Sequence, residues 1–302
     1  MLLISPRDVD LLMTPELAVE AAKVAFSWLI DKQVAQPKRQ VFTVEGNWWG
    51  LMHSYGPDVF AVKLVNVIEG NKSRGLPTIN GLVVLASSKN GLPLAVIDGP
   101  TLTAWRTAAA SVLSTELVVG RSVGTVGIVG AGTQARYHYA VASGYLKVDK
   151  FLFTARTSHV KLASELGADA VTLEELMRQS NVIYAATSST SPVVRGSLLR
   201  DDFHISSVGA HTLDSRELDD DVLKRASTVL VDSIEAVEAE SGDYLKAREL
   251  GKPIVELGAL LKGQRVSRPT VFKSVGVAAQ DLAAALLVYE EALRRNIGTK
   301  VD

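Results

Sequence analysis

The segment GTVGIVGAGTQARYHYA, residues 124–140, constrains the fold of this chain more than any other. Its first half has the apolar composition of a buried strand, and its second half is predicted to be a helix. Between them lies the pattern Gly-x-Gly-x-x-Ala. Gly130 permits a tight turn, and Gly132 lets a pyrophosphate approach the amide groups at the helix N-terminus. The pattern predicts a dinucleotide site, with a tight turn that binds no ligand as the alternative. The expected cofactor contacts here are Gly130, Gly132, Thr133, Gln134 and Ala135.

The pattern of predicted strands and helices changes at this motif. Before it, five strand-like runs between residues 40 and 98 are separated by turn signals, which predicts an antiparallel or mixed sheet. After it, apolar strands alternate with helices, which predicts a parallel sheet with helices on its faces. Helical spacing also predicts helices over about 8–28, 102–119 and 276–295. The fold class is therefore α/β, with a Rossmann-type domain and a second lobe.

Composition excludes several classes of function. The chain has 302 residues and no cysteine, so it has no disulfide, thiolate metal site or cysteine nucleophile. Its five histidines are scattered without metal-ligand spacing, and we expect no metal. A net charge of −1 gives no basic footprint for nucleic acid. No segment reaches the roughly 18 apolar residues of a membrane span, and the N-terminus does not resemble a signal peptide. We expect a cytoplasmic protein with a small-molecule partner and neither nucleic acid nor membrane.

The end of the second strand of the predicted Rossmann domain indicates which dinucleotide is bound. Enzymes that use NAD commonly carry Asp or Glu there, about 20 residues after the glycines, to bind the ribose hydroxyls. Here the strand ends in FLFTARTSHVK, with Arg156 and Thr157 and no carboxylate. A guanidinium and hydroxyls bind a 2′-phosphate, which a carboxylate would repel. This favours NADP(H), with NAD(H) possible. The alternative is that Arg156 is a solvated charge or stacks on the adenine.

Two cations stand in sequences that are otherwise typical of buried elements. Arg106 lies in TLTAWRTAAAS, where small neighbours leave room for a ligand and the early helix favours an anion. It is predicted to bind a carboxylate through paired hydrogen bonds, with an ion pair to a buried Asp or Glu as the alternative. Lys63, in the strand FAVKLVNV, is on the same face as Ala61 and Val65. A lysine there is either a site residue or one that extends along a sheet edge to water.

Several further motifs occur in a fixed order. They are FAVKLVNVIEG, GLPTINGLVVLASSKNGLPLAVIDGPTLTAWRTAAAS, GIVGAGTQA, VDSIEAVEAESGD and TVFKSVGVAAQDLAAA. From about Pro37 to Glu291 the chain resembles the ornithine cyclodeaminase and mu-crystallin family. The resemblance implies a Rossmann domain over 116–276 and a discontinuous α+β domain formed by 1–115 with 277–302. The second domain would bind the substrate and form a homodimer through its sheet.

The resemblance also implies roles for individual residues. Arg106, Lys63 and Arg39 match positions that contact the substrate carboxylate, with Lys38 as a competing candidate for Arg39. Thr78 matches a position on the nicotinamide side of the site. The remaining cofactor contacts are expected at Val275, Gly276, Thr187 and Ser188.

One segment departs from the cyclodeaminase pattern. Cyclodeaminases and the related alanine dehydrogenases resemble VGaD-x-P-G-K-x-EL, in which the aspartate contacts the substrate amine. Here the segment is VGAHTLDSREL, with His211 in that position and Asp214 three residues later. Mu-crystallin-like reductases also lack the early aspartate. An imidazole could donate a proton to an imine near neutral pH. The alternatives are that His211 is a loop histidine without a catalytic part, and that Asp214 is a helix N-cap or loop carboxylate.

These features together predict an NAD(P)-dependent oxidoreductase. The expected reaction is hydride transfer to the C=N carbon next to a carboxylate in a small imino acid of the pyrroline- or piperideine-2-carboxylate or ketimine type. The expected catalytic residues are Lys63, Arg106, His211 and Asp214. An alanine dehydrogenase or ornithine cyclodeaminase is the first alternative. A crystallin-like protein that binds cofactor and ligand with little turnover is the alternative of another class.

Overall fold

The computed structural model describes residues 1–301, which form two compact units. We call them the split unit, Met1–Arg106 with the segment that begins at Val277, and the central unit, Thr107–Gly276. The division after Arg106 falls inside a long helix. The boundary expected from the sequence, between residues 115 and 116, lies in the same helix.

The split unit is built on seven strands. They are β1 (Leu2–Ile4), β2 (Gln40–Val44), β3 (Asn47–Gly56), β4 (Val59–Val67), β5 (Ile79–Ser87), β6 (Pro93–Asp98) and β15 (Thr299–Lys300). Its helices are α1 (Pro6–Leu12), α2 (Pro15–Ile30), the first turns of α3 (Gly99–Val118) and α11 (Ala278–Arg295). The strand order is β15-β1-β6-β5-β4-β3-β2, antiparallel throughout except for the parallel pair β1 and β6. The antiparallel or mixed sheet expected from residues 40–98 is confirmed: the five strands of that segment are antiparallel, and β1 adds the one parallel pair.

The helix expected over residues 8–28 is two helices. Thr14 caps α2 by accepting a hydrogen bond from the Leu17 amide, and Pro15 occupies the first helical position. A residue before proline is disfavoured in helical conformation, and proline is best tolerated at a helix start. The apolar spacing runs through both helices, which is why the spacing alone does not show the break.

The central unit carries eight strands, all parallel. They are β7 (Ser122–Val129), β8 (Lys147–Thr154), β9 (Asp169–Ala170), β10 (Val182–Ala185), β11 (His204–Ser207), β12 (Thr228–Val231), β13 (Ile254–Glu256) and β14 (Thr270–Lys273). The helices are α4 (Thr133–Tyr145), α5 (His159–Leu166), α6 (Leu173–Gln179), α7 (Asp220–Arg225), α8 (Ile234–Glu240), α9 (Gly242–Glu249) and α10 (Leu257–Leu261). The strand order is β13-β12-β14-β11-β10-β7-β8-β9, and the predicted α/β fold with a Rossmann-type domain is confirmed.

The order of these strands indicates where in the central unit a ligand is expected to bind. The chain runs outward from β7 to β8 and β9 on one side, and begins again at β10 on the other. In open parallel sheets the ligand crevice lies at the carboxyl ends of the strands on either side of such a reversal. Here those ends carry Gly130 after β7 and Ala186 after β10. Among residues 1–301, no helix is long and apolar enough to cross a membrane.

Candidate active site

A buried cluster of charged side chains lies in the split unit. The Asp281 carboxylate joins two cations, with Oδ2 at 2.6 Å from Lys63 Nζ and Oδ1 at 3.2 Å from Arg106 Nε. All three side chains are almost completely excluded from water. Gln280, the residue before Asp281, accepts a hydrogen bond from Arg106 Nη1 at 3.1 Å. The structure therefore brings together two predicted carboxylate ligands, and it adds an internal carboxylate that the sequence did not identify.

Each member of this cluster is placed by its own element. Alternation along β4 buries Lys63 on the same face as Ala61, toward the side covered by α11. Asp281 lies in the first turn of α11, where the helix dipole favours a carboxylate. Arg106 lies two turns into α3.

Burial and charge act on the cluster in opposite directions. Burial lowers the pKa of Lys63 to about 8, and the adjacent Arg106 cation adds to this, while Asp281 opposes it. Burial alone would raise the pKa of Asp281, but the Lys63 and Arg106 cations outweigh it and hold that pKa below its usual range. Arg39 contributes a third positive charge to both groups. Since Arg39 is half-buried and Lys38 is exposed, the structure favours Arg39 over its competitor.

Arg106 keeps donors that Asp281 does not use. Its Nε donates to Asp281 and its Nη1 to Gln280, while its Nη2 has no acceptor among residues 1–301. The ion pair that was the alternative for Arg106 is thus present. It uses Nε, and the Gln280 contact uses one hydrogen of Nη1, so that Nη2 and the second hydrogen of Nη1 remain as donors for a second carboxylate.

The turn after β7 has the shape that a pyrophosphate needs. Gly130 has a φ of +133°, and a Cβ there would lie 2.5 Å from the Ala186 carbonyl oxygen, so only glycine fits. Gly132 is the N-cap of α4 without a side-chain cap, and a Cβ added to it would meet nothing within 4 Å. Open space therefore faces the first amide groups of α4, those of Thr133, Gln134 and Ala135, and these residues fit a dinucleotide.

The segment after β8 carries no carboxylate near its start. Arg156 and Thr157 are exposed, and Ser158, with a φ of +65°, begins the turn into α5. Arg156 takes part in none of the ion pairs found within residues 1–301. The first carboxylate that follows is Glu165, which pairs with Arg136 and Lys161. Arg156 is therefore available to an anionic ligand.

A buried glutamate fixes the ends of β10 and β11. Glu217 Oε1 accepts from both the amide and the hydroxyl of Thr187, at 2.8 and 2.9 Å. Its Oε2 accepts from the Ser207 hydroxyl and the Gly209 amide, both at 2.8 Å. The donors of Thr187 are thus used within the protein, whereas Ser188 is exposed. Sequence reasoning missed Glu217, because it stands between Arg216 and Leu218 in a run of charged residues and has no local signal of burial.

His211 and Asp214 are exposed in the loop of the segment VGAHTLDSREL, which departs from the cyclodeaminase pattern. His211 Nδ1 lies 3.2 Å from the Gly209 carbonyl oxygen. Asp214 accepts from the Thr212 hydroxyl at 2.6 Å, and this bond holds the pKa of Asp214 below its usual range. Asp214 is a loop carboxylate rather than a helix cap, because Asp219 caps α7.

Beneath this loop lies Lys273, fully buried at the end of β14. Its Nζ donates to the Ala210 carbonyl oxygen at 2.6 Å and to the Ser207 hydroxyl at 3.1 Å, and lies 3.5 Å from Asp243. The residue before His211 is therefore tied directly to the sheet.

The predicted nicotinamide contacts are held in different ways. The amides of Val275 and Gly276 both donate to Asp232 Oδ2, at 2.9 and 2.8 Å. Burial raises the pKa of Asp232, although its hydrogen bonds oppose this. Thr78 belongs to the split unit, in the bend before β5, where its carbonyl oxygen accepts from the Ile68 amide. Thr78, Lys63 and Arg106 thus belong to the split unit, and the other predicted cofactor contacts belong to the central unit.

We predict that Asp281→Asn strongly destabilises the protein. Removing the carboxylate leaves buried cations without a counter-charge, which costs about 3–5 kcal/mol. Acetate should restore part of the loss, because a free carboxylate can bind between the cations. Urea unfolding with and without acetate measures both effects. Asp58→Asn is the matched control, since Asp58 pairs with Lys89 on the surface and should matter by about 1 kcal/mol or less. A similarly small loss at Asp281, or no effect of acetate, would contradict this account.

Comparison with known proteins agrees with the fold and the motifs. The model of the ornithine cyclodeaminase/mu-crystallin family matches residues 6–296. The chain is 36% identical over 297 residues to the ketimine reductase mu-crystallin of Mus musculus, covering 94% of this chain and 93% of that protein. It is 32% identical to the Delta(1)-pyrroline-2-carboxylate reductase of Thermococcus litoralis, solved in complex with NADH and L-proline, with a TM-score of 0.91 over 100% of both chains. An archaeal alanine dehydrogenase dimer with bound NAD is 26% identical, with a TM-score of 0.90 over 100% of this chain and 99% of that one. The chain belongs to the ornithine cyclodeaminase/mu-crystallin family.

Proposed function

We propose that this protein is an oxidoreductase that reduces the C=N bond of small imino acids with a nicotinamide cofactor. The observation that carries the proposal is Nη2 of Arg106, which has no acceptor among residues 1–301, within a cluster of three cations and one carboxylate. Such a cluster has an excess of positive charge and suits a ligand carboxylate. The ketimine and pyrroline-2-carboxylate reductases to which the chain is similar support the same reaction.

The cluster orients the substrate by its carboxylate. Arg106 would bind it through the Nη edge, and Lys63, with a pKa of about 8, would be mainly protonated at neutral pH and add a second cation. When bound, the reduced nicotinamide supplies a hydride to the imine carbon next to that carboxylate. Holding the carboxylate fixes where this carbon lies.

The imine nitrogen needs a proton for the reaction to balance. An iminium carbon accepts hydride far more readily than a neutral imine, so a proton donor must maintain or supply the N–H bond. Asp214 is a poor donor, because its lowered pKa keeps it ionised at neutral pH. An imidazole is a suitable proton donor near neutral pH, and His211 lies on the loop that Lys273 links to the sheet through the Ala210 carbonyl oxygen. We assign the proton transfer to His211.

The purified protein is expected to oxidise NADPH or NADH when given pyrroline- or piperideine-2-carboxylate. Arg106→Lys should lower kcat/KM for the imine by about 10- to 100-fold, because it removes paired hydrogen bonds to the carboxylate while keeping the charge. Absorbance at the reduced nicotinamide band measures the rate. The Kd of the cofactor should stay unchanged, which shows that the variant is folded.

Arg294→Lys is the matched control, since Arg294 is exposed at the end of α11. Its kinetics should equal those of the unmodified protein. Absence of oxidation with either cyclic imine, together with formation of proline from ornithine and NAD, would replace reduction by cyclodeamination. Reduction of pyruvate with ammonia, but of neither cyclic imine, would indicate an alanine dehydrogenase.

We also propose that NADP(H) is the preferred cofactor. The exposed Arg156 and Thr157 follow β8 where an NAD-specific carboxylate would stand. A guanidinium can form charge-assisted hydrogen bonds with a 2′-phosphate, which NAD(H) lacks.

Arg156→Gln should lower kcat/KM for NADPH by about 10- to 100-fold and change that for NADH by less than about threefold. Initial rates at varied cofactor concentration measure both constants. Arg178→Gln is the matched control, because Arg178 is an exposed arginine of the same unit that pairs with Glu174. An equal loss with both cofactors would mean that Arg156 stacks on the adenine instead. No loss with either would mean that it is a solvated charge.

We propose that the chain forms a homodimer through the outer face of the split-unit sheet, the face opposite α11. Leu64 and Leu82 are direct cross-strand neighbours on this face, and both are more than a third exposed. Phe42 and Tyr55, on β2 and β3, are further exposed apolar side chains of this sheet. Contiguous exposed apolar surface of this kind is typical of subunit interfaces. The dimer of the related alanine dehydrogenase supports the same state.

Sedimentation equilibrium should give twice the 32.3 kDa mass of one chain. Replacing both Leu64 and Leu82 with arginine should shift the mass to that of the monomer, because it places like charges in a desolvated contact. Leu293→Arg, at an exposed position of α11, is the control and should leave the dimer intact. A monomer before any substitution would contradict the proposal.

A further inference from the structure

Gln280 is a buried amide in the first turn of α11, with 1% of its surface exposed. Its Oε1 accepts hydrogen bonds from Arg106 Nη1 and from the Val277 amide, both at 3.1 Å. Both partners are N–H groups that cannot accept a hydrogen bond. The oxygen must therefore be on this side of the amide, and the position of the nitrogen follows from chemistry.

The nitrogen of this amide is left without a partner. Nε2 is buried and has no hydrogen-bond acceptor within residues 1–301. Buried donors in folded proteins are nearly always satisfied by protein, water or ligand, so an open one marks a place where something binds. Asp281, the nearest carboxylate in the sequence, is already engaged by Lys63 and Arg106.

We propose that Gln280 Nε2 donates a hydrogen bond to the substrate carboxylate, beside the Nη edge of Arg106. The inference rests on the proposed function and adds a neutral donor to its site. The Arg106 guanidinium is bonded to the same amide, so an anion on its Nη edge lies next to Nε2. The acceptor must be a carboxylate oxygen, because a protonated imine nitrogen has no lone pair to offer.

This arrangement also selects carboxylates against carboxamides. Lys63, Arg106 and Gln280 Nε2 all present N–H donors, and Asp281 is engaged. A neutral carboxamide would lose the attraction of the cations, and its NH₂ group would replace an acceptor by a donor opposite these N–H groups. A neutral donor achieves this without adding charge to a site that already holds three cations.

The direct test is the side-chain amide signal of Gln280 in ¹⁵N-resolved NMR of the full-length protein with oxidised cofactor. Pyrrole-2-carboxylate is the probe, since it carries a carboxylate next to a ring nitrogen and cannot be reduced or oxidised at that position. The expected result is a shift of both amide protons and slower exchange with water on adding the probe. Its carboxamide should cause neither change. The Gln280 amide signal is measured on the unmodified protein and does not depend on turnover.

Gln280→Glu tests the same contact through affinity. A carboxylate there keeps an acceptor for Arg106 and Val277 but offers no N–H, so the Kd of the probe should rise by tenfold or more. In turnover, KM for the imine should rise while kcat stays within about threefold, because the bond is made equally in ground and transition states. Gln36→Glu is the matched control: its Oε1 accepts from the Ala279 amide, and it adds the same charge beside the start of α11.

The outcomes separate this inference from the proposed function. A shifted Gln280 amide without reduction of any imine would support the contact and overturn the reaction. Imine reduction that needs Arg106, with an amide signal unmoved by the probe and an unchanged KM in Gln280→Glu, would overturn the contact. Water alone would then satisfy Nε2. Equal effects of Gln36→Glu and Gln280→Glu would also overturn it, since charge alone would explain them.

Discussion

The ion pair from Asp281 to Lys63 and Arg106 is the interaction on which the rest of the site depends. Buried cations are tolerated only when a counter-charge and hydrogen bonds compensate their loss of hydration. Here a single carboxylate compensates two of them directly, through separate oxygens. The three residues come from β4, α3 and α11, so the C-terminal helix must return to the first lobe to supply the anion. This requirement gives a physical reason for a lobe made from both ends of the chain.

The same cluster has a net positive charge that suits an anion. Three positive groups face one negative group, and burial has already lowered the pKa of Lys63 to about 8. A bound carboxylate would oppose that shift, because it stabilises the charged ammonium. Binding of a ligand carboxylate and protonation of Lys63 would therefore promote each other. Asp281 stabilises the cluster, and the excess positive charge suits an anionic ligand.

The sequence was informative where a local pattern implies a local structure. The Gly130 and Gly132 turn could be predicted because glycine spacing between strand and helix has few alternatives. The burial of Lys63 followed from alternation along its strand. Asp281 could not be found this way, because it pairs with Arg106 across 175 residues and lies in a helix whose composition indicates only packing. The break between α1 and α2 was missed because apolar spacing continues across Pro15.

The buried polar residues that sequence reasoning missed share one property. Glu217, Asp232 and Lys273 each bind backbone groups at the carboxyl ends of strands, and so fix the segments that hold the predicted cofactor and proton-transfer residues. Each has at least one main-chain partner, and main-chain atoms carry no sequence signal.

Asp232 shows the consequence for the cofactor. Because it already accepts the amide hydrogens of Val275 and Gly276, these residues can approach a nicotinamide only through carbonyl oxygens or the Val275 side chain. A carbonyl oxygen accepts hydrogen bonds, and the nicotinamide carboxamide has an NH₂ group to donate. The amide hydrogens of this turn are thus held by Asp232, whereas the Arg106 cluster retains a donor in Nη2.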